Sequence, residues 1–567
     1  MPRAQRSSSP RVVFAIFCLA LLLQIACKRS ESRSPSSAQA EGAAPAGSLE
    51  LVFTYGSEKE KWIKDVTDTF NRAANKTSGG QRIFVRAVPM GSGELIEDIL
   101  SGNTKAHITS PASGAFITLG NAESRAKTGH ELVGSTESLV LSPVVIAMWK
   151  PMAEALGYGK KPIGWADILA LAHNDRGWAQ YGFPQWGQFK FGHTHPEYSN
   201  SGLISVIAEV YAANRKTAGL TQKDVQNPRT ADFVAGVEHS VVHYGSSTGF
   251  FGRKMFAAGP QFLSAAVLYE SMVIESYDQN LQFPVVAIYP KEGTFWSDHP
   301  IGIVNREWVT PAHKEAAQIY IKYLLAGPQQ QRALQYGFRP GAVDVPLASP
   351  IDAAHGVDPK EPKTTLEVPS AEVIHSILEL WKQHKKTADV VLVLDKSASM
   401  NQDQKMQNAR EGAKQLVSML DESDSFSLLP FSTQMSWAFQ DLPVRTQRQK
   451  AEDTIASIFA DGGTALYDSI DAAYKHLLDK KGANDQIRAV VVLTDGADTE
   501  STEKLEDLLQ HIQQNSEARP VSIFTIAYGQ DARRDVLKQI AEATQARMYE
   551  GNPKNIVEVF RDISTFF

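Results

Sequence analysis

An unbroken apolar run, Val390-Val391-Leu392-Val393-Leu394, ends on Asp395-Lys396-Ser397-Ala398-Ser399. A strand with one wet face alternates apolar and polar side chains, so a run without alternation must be covered on both faces. Helices on the two sides of a parallel sheet supply that cover. The pattern downstream agrees. It predicts a helix over Lys405 to Leu420, a strand over Ser425 to Phe431 and a helix over Ala465 to Leu478. A strand over Ala489 to Leu493, a further helix, a strand over Val521 to Tyr528 and two closing helices follow. Residues 388–567 are therefore expected to form an α/β domain around a doubly wound parallel sheet.

Open sheets of this kind bind ligands at the carboxyl ends of their strands. Three polar clusters fall at or beside such ends: Asp395-x-Ser397-x-Ser399, Asp461-Gly462-Gly463-Thr464 and Thr494-Asp495-Gly496. Hydroxyls and carboxylates are hard oxygen ligands of the type Mg²⁺ requires, and the set holds no His or Cys to favour zinc. Asp395, Ser397, Ser399, Thr464 and Asp495 resemble, in order, the metal-ion-dependent adhesion site of von Willebrand factor type A domains. The resemblance implies that Ser397 and Ser399 ligate the ion and that Asp395 and Asp495 act directly or through water. Thr464 joins or leaves with the conformational state. The ion is Mg²⁺, or another divalent cation such as Ca²⁺ or Mn²⁺. An acidic residue of a protein partner completes the coordination. Asp468 and Asp498 are expected at helix starts or on solvated faces.

Upstream, short apolar runs alternate with helical stretches from Leu49 to about Leu347, again an α/β pattern. Expected strands include Ile83 to Val88, Ala106 to Thr109, Leu139 to Trp149 and Phe283 to Tyr289. Expected helices include Glu58 to Asn71, Gly93 to Leu100, Leu203 to Asn214 and Pro311 to Leu325. Several helix starts carry Ser and Gly, and a helix N-terminus offers unpaired N–H groups to an anion. The segments Phe53-Thr54-Tyr55-Gly56-Ser57, Gly91-Ser92-Gly93, Ile108-Thr109-Ser110 and Ser199-Asn200-Ser201-Gly202 resemble the oxyanion-binding branch of two-lobed bacterial solute-binding proteins. That family closes two α/β lobes on its ligand. The resemblance makes Ser57, Ser92, Ser110 and Ser201 candidate contacts of a small anionic solute, with Ser247 and Thr248 as weaker ones. His193-Thr194-His195 departs from the pattern, as a metal pair, as positive charge near an anion, or as two hydrogen-bonded loop histidines.

Composition narrows the rest. A net charge of -6, without a basic run in the body of the chain, argues against a nucleic-acid binder. Only two cysteines occur, Cys18 and Cys27, so no disulfide framework is available to the body of the protein. Arg3, Arg6 and Arg11 precede an apolar run from Val12 to Leu23, in the order of a secretory signal. Leu23-Gln24-Ile25-Ala26-Cys27 resembles a bacterial lipobox, with Gln24 standing where an aliphatic residue is usual. The resemblance implies cleavage before Cys27 and lipidation of its sulfur, hence a membrane anchor in the bacterial cell envelope. The expected organisation is a signal peptide over 1–26 and a Ser/Ala/Pro-rich tether over 27–48. A solute-binding-like domain follows over 49–347, then a proline-punctuated linker with a lead-in helix over 348–387, and the adhesion-type domain over 388–567.

No histidine or cysteine adjoins the predicted metal ligands, so the expected class is a binding protein and not an enzyme. Two alternatives stay open. One is a metal-dependent hydrolase using the C-terminal metal or His193 and His195. The other is an adhesin in which the first domain is a scaffold.

Overall fold

The computed structural model describes residues 44–341, 344–480, 486–515, 521–544, 546–564 and 566–567. The signal segment, Cys27 and the first part of the tether lie outside the described residues. No helix among the described residues is long and apolar enough to cross a membrane.

The N-terminal part has two lobes. One is built on a five-stranded sheet in the order Ile83–Met90, Leu49–Gly56, Ile108–Ser110, Pro300–Val304, Val133–Ser138, the first three parallel and the last two antiparallel to their neighbours. The other is built on the long strand Val140–Trp149, which pairs with Ala265–Tyr269, Val285–Ile288, Trp296–Ser297 and Arg339–Pro340; Phe191–Thr194 and Val241–Gly245 extend the sheet beyond Ala265–Tyr269. The chain passes between the lobes around Leu139, again at His299 and again before Arg339, as a two-lobed binding fold requires.

The C-terminal sheet has six strands in the order Phe439–Pro443, Ser425–Phe431, Ala388–Asp395, Ile487–Thr494, Val521–Tyr528, Met548–Gly551. Every residue of Ala388–Asp395 is buried. Its side chains divide by parity: Val390, Leu392 and Leu394 enter the core on one face, Val391 and Val393 the core on the other. This is why the run shows no alternation. Two elements differ from the sequence reading. Phe439–Pro443 is an antiparallel edge strand, short and partly exposed, so its sequence carries little pattern. Between the closing helices Arg534–Ala543 and Ile556–Ser564 lies the short edge strand Met548–Gly551.

The stretch 348–387, read from its prolines as linker and lead-in helix, packs onto the second lobe. Ile351, Val357 and Leu366 are buried there, and the helix Ala371–His384 buries Val373, Ile374, Ile377 and Trp381 in the same core. Prolines interrupt regular structure, but apolar residues spaced among them still find cover.

Candidate metal centre and solute cleft

The sheet register sets Leu394 beside Leu493, so Asp395 and Thr494-Asp495 emerge side by side from adjacent central strands. Asp395 is fully buried. One of its oxygens accepts the Ser397 N–H at 2.7 Å, and the other accepts the Thr494 hydroxyl at 2.6 Å. These contacts aim the loop so that the Ser397 and Ser399 hydroxyls stand 3.0 Å apart. Ser399 donates to Asp495 Oδ1 at 2.7 Å, closing the group. The loop that carries Thr464 is stitched on by backbone bonds, Ala398 N–H to Gly462 O at 3.0 Å and Asp461 N–H to Lys396 O at 2.6 Å. Gly462 has φ +76°, which favours glycine at this turn. Thr464 is buried, and its hydroxyl lies 3.9 Å from where a Cβ on Gly496 would stand, beside Asp495. The structure thus gathers Asp395, Ser397, Ser399, Thr464 and Asp495 at one end of the sheet.

Burial pushes the Asp395 carboxyl up from its ordinary value, and the Asp495 charge adds to this, while the bonds from Thr494 and Ser397 oppose it. The Lys405 ammonium, at the start of the next helix, sits 2.7 Å from Asp495 Oδ2. Lys396 pairs with the exposed Asp461 at the rim. No ion pair reaches Asp395 among the described residues, so two buried carboxylates share the one cation Lys405. A hard-oxygen set with excess negative charge fits a divalent cation. Lys405 and Thr494 were missed from the sequence. Thr494 was in view as a strand end. Lys405 stands ten positions beyond Asp395 in a segment that reads only as a helix. Asp498 accepts the Leu466 N–H at 2.8 Å and Asp468 the Glu503 N–H at 2.9 Å, both at helix starts.

The cleft between the N-terminal lobes is built differently. The Ser57 hydroxyl donates to Ser247 at 2.9 Å and accepts the Gly249 N–H at 3.2 Å, across the lobes. Thr248 donates to Ser201 at 3.0 Å, and Ser201 meets Thr194 at 2.8 Å. Ser92 accepts the Ala112 N–H at 2.9 Å, and Ser110 donates to the His299 carbonyl at 3.4 Å. All six predicted residues are buried. Ser57 joins Ser247, and Ser201 joins Thr248. Ser92 and Ser110 bond elsewhere, to Ala112 and His299.

The expected anion positions at helix starts are taken by the chain's own acceptors. Gly93 and Glu94 N–H groups reach the Tyr198 carbonyl at 2.8 and 3.3 Å, and Gly114 N–H reaches Asp298 Oδ1 at 3.1 Å. The lobes are in close contact, since a Cβ on Gly93 would stand 1.8 Å from the Glu197 carbonyl. Beneath lies a buried charged triad that sequence reasoning missed. Lys59 Nζ donates to Glu58 Oε1 at 2.7 Å and meets His299 Nδ1 at 3.1 Å. Burial pushes the Glu58 carboxyl up, but Lys59 and His299 more than reverse this and hold it at about 2. Burial and Lys59 bring His299 down to about 4. Adjacent Glu-Lys pairs are common, and nothing in their sequence says that they are buried. Of the two histidines, His195 is buried and its Nδ1 accepts the Glu197 N–H at 3.3 Å, whereas His193 faces Glu238.

Comparison with known proteins agrees with this architecture. Residues 51–339 match the model of the bacterial extracellular solute-binding protein family, and residues 389–561 match the von Willebrand factor type A domain. An uncharacterized protein of Mycobacterium tuberculosis (strain CDC 1551 / Oshkosh) is 21% identical over 518 residues, covering 85% of this chain and 71% of the relative. The sulfate-binding protein SubI from Mycobacterium tuberculosis H37Rv is 18% identical, covering 52% of this chain and 87% of that one, with a TM-score of 0.35. A von Willebrand factor type A structure from Catenulispora acidiphila is 25% identical over 32% of this chain, with a TM-score of 0.29; this chain spans 42% of its length. The protein belongs to the bacterial extracellular solute-binding protein family and carries, after its two-lobed domain, a von Willebrand factor type A domain.

Proposed function

We propose that this is a lipid-anchored binding protein of the bacterial cell envelope, in which the solute-binding domain supports a metal-dependent protein-docking domain. The convergence of Asp395, Ser397, Ser399, Thr464 and Asp495 at one sheet end carries the reading. In it, the Ser397 and Ser399 hydroxyls hold Mg²⁺, with Mn²⁺ or Ca²⁺ as substitutes. Asp395 and Asp495 supply the balancing charge, and Thr464 borders the ion. When bound, the ion would supply Lewis acidity toward a carboxylate of the partner. Lys405 fixes Asp495 in place through their 2.7 Å ion pair. The five residues include no histidine or cysteine, which favours docking over hydrolysis.

The solute side of the proposal is a small polar ligand, an oxyanion by preference, taken up by Ser57, Ser201, Ser247 and Thr248 when the lobes part. The hydroxyls that now bond one another would exchange those bonds for bonds to the solute. Anchoring through acylated Cys27 rests on the sequence around it.

The test compares wild type with Asp395→Ala in pull-downs from detergent-extracted envelopes, each in Mg²⁺ and in EDTA. The docking reading requires proteins retained by wild type in Mg²⁺ and lost by the variant. Equal capture by both removes it and leaves a solute receptor with a structural appendage.

A further inference from the structure

Five elements of the second lobe meet around a pair of buried carboxylates. His193 lies on the strand Phe191–Thr194, Glu209 on the helix Asn200–Asn214 and Glu238 at the end of the helix Pro228–Glu238. Tyr244 comes from the next strand and Trp381 from the helix Ala371–His384. His193, Glu209 and Glu238 are each 0% exposed. One ligand atom from each of the three lies within 4.8 Å of the others.

The hydrogen bonds define what is missing. His193 Nδ1 stands 2.7 Å from the Thr194 carbonyl, which can only accept, so Nδ1 carries the hydrogen. His193 Nε2 then faces Glu238 Oε1 at 2.9 Å. As a neutral ring it sets a lone pair against a carboxyl oxygen, a contact closed by a proton on that oxygen or by a cation that both atoms ligate. The other Glu238 oxygen is saturated by Tyr244 Oη at 2.7 Å and Trp381 Nε1 at 3.1 Å. Glu209 Oε1 accepts Ser205 Oγ at 3.0 Å, and Glu209 Oε2 has no partner among the described residues. An imidazolium at His193 would balance Glu238 alone. Glu209, whose carboxyl burial and Glu238 push well above its ordinary value, would still keep an orphaned Oε2, which is costly to bury.

We infer that His193, Glu209 and Glu238 form a buried site for a divalent transition-metal ion of the zinc type, separate from the adhesion-type site at Asp395. One such ion satisfies the His193 lone pair, cancels two carboxylates and gives Glu209 Oε2 a partner. An imidazole with two carboxylates is a donor set that zinc accepts, and Glu209 can offer its second oxygen as a fourth ligand. Thr194, Tyr244, Trp381 and Ser205 are the outer hydrogen bonds that orient such ligands. The site is closed to solvent, so the ion is taken up as the chain folds and its role is structural. Through Trp381 it fastens the helix that leads to the second domain. His195, the other member of the His-x-His pair, does not ligate.

The experiment measures transition metals by mass spectrometry in the full-length protein purified from expressing cells and dialysed against Mg²⁺. About one ion per chain is expected in wild type and in Asp395→Ala, and less than about a tenth of that in His193→Gln and Glu209→Gln. Circular dichroism reports whether the variants fold. If they do not, wild type decides alone: it is unfolded in chelator and refolded with one equivalent of Zn²⁺ or without. A higher unfolding temperature with Zn²⁺ retained supports the site. A wild type that is isolated without a transition metal and retains no Zn²⁺ on refolding overturns the inference, as does metal retained by folded Glu209→Gln.

Discussion

The cleft of the first domain and the candidate metal centre of the second are made from the same material, Ser and Thr hydroxyls at strand ends and helix starts. They are left in opposite states. In the cleft each hydroxyl finds a partner in the protein, and its charges, Glu58 and Lys59, are paired with His299 between them. At the candidate metal centre Asp395 and Asp495 outnumber Lys405, the one buried cation paired with them among the described residues. Hydroxyl content does not tell a self-satisfied interface from a site that calls for a ligand. The balance of buried charge does, because an uncompensated carboxylate is much costlier to bury than a hydroxyl.

The largest effect should follow from removing that excess charge. Asp395→Ala is expected to abolish Mn²⁺ binding detected by electron paramagnetic resonance, a loss of more than about a hundredfold, since even outer-shell changes cost 10- to 100-fold. The cleft should not respond, and its unfolding temperature in metal-free buffer should stay near wild type. Retained Mn²⁺ at wild-type affinity would show that the carboxylates are balanced some other way, and the contrast between the regions would collapse.

The cleft's paired charges make it sensitive to acid. His299 titrates near 4 in the folded protein against an ordinary 6.5. Below 6.5 the unfolded ring takes a proton that the folded ring refuses. Its contribution is therefore complete above 6.5 and is lost as pH falls from 6.5 to 4. Glu58, held at about 2 against 4.5, adds a second loss from 4.5 downward. The His299 gap is worth on the order of 3 kcal/mol. Thermal unfolding from pH 7 to 4 should fall steeply in wild type and be flatter in His299→Gln. Equal slopes would mean that the triad is not what the acid attacks.

A steric change tests closure itself. Gly93→Ala places a methyl against the Glu197 carbonyl, backbone on both sides, and should cost about 1–3 kcal/mol of lobe contact. Small-angle scattering should report a larger radius of gyration. An unchanged radius would mean that the lobes accommodate the methyl, and that closure is looser than the Gly93 to Tyr198 bond implies.

Legibility in the sequence followed distance along the chain. Asp395, Ser397 and Ser399 are two residues apart and end a run that cannot be anything but a covered strand, so that corner of the centre was readable. Lys405 completes it from a helix whose pattern already had an explanation. The cleft partners Ser57 and Ser247 are 190 positions apart, and Gly93 meets a carbonyl at Tyr198. Backbone acceptors have no residue type, so no motif announces them. The tether-like prolines of 348–369 hid Ile351, Val357 and Leu366, because burial there is set by the surface they land on and not by local period. His193 and His195 were noticed as a pair, yet only His193 meets Glu209 and Glu238. Those partners come from two helices, and the fold alone brings them together.

The smallest effect concerns whether the two regions communicate. Arg561, on the last helix, stands 3.6 Å from Glu94 and 3.4 Å from Asp98, both on the helix whose first N–H groups close the cleft. The Arg561 helix packs through Phe560 on the helix that begins at Lys405, which holds Asp495. This is a continuous path, but spatial continuity is not coupling. The Arg561 side chain is 22% exposed, and such pairs contribute at most about 1 kcal/mol. Arg561→Ala should therefore lower stability by less than about 1 kcal/mol and leave Mn²⁺ affinity as it was. A tenfold change in Mn²⁺ affinity requires about 1.4 kcal/mol, more than a screened pair supplies. Such a change would mean that lobe closure and metal binding shift together. By reciprocity the solute would then alter metal affinity by the factor with which metal alters the solute's.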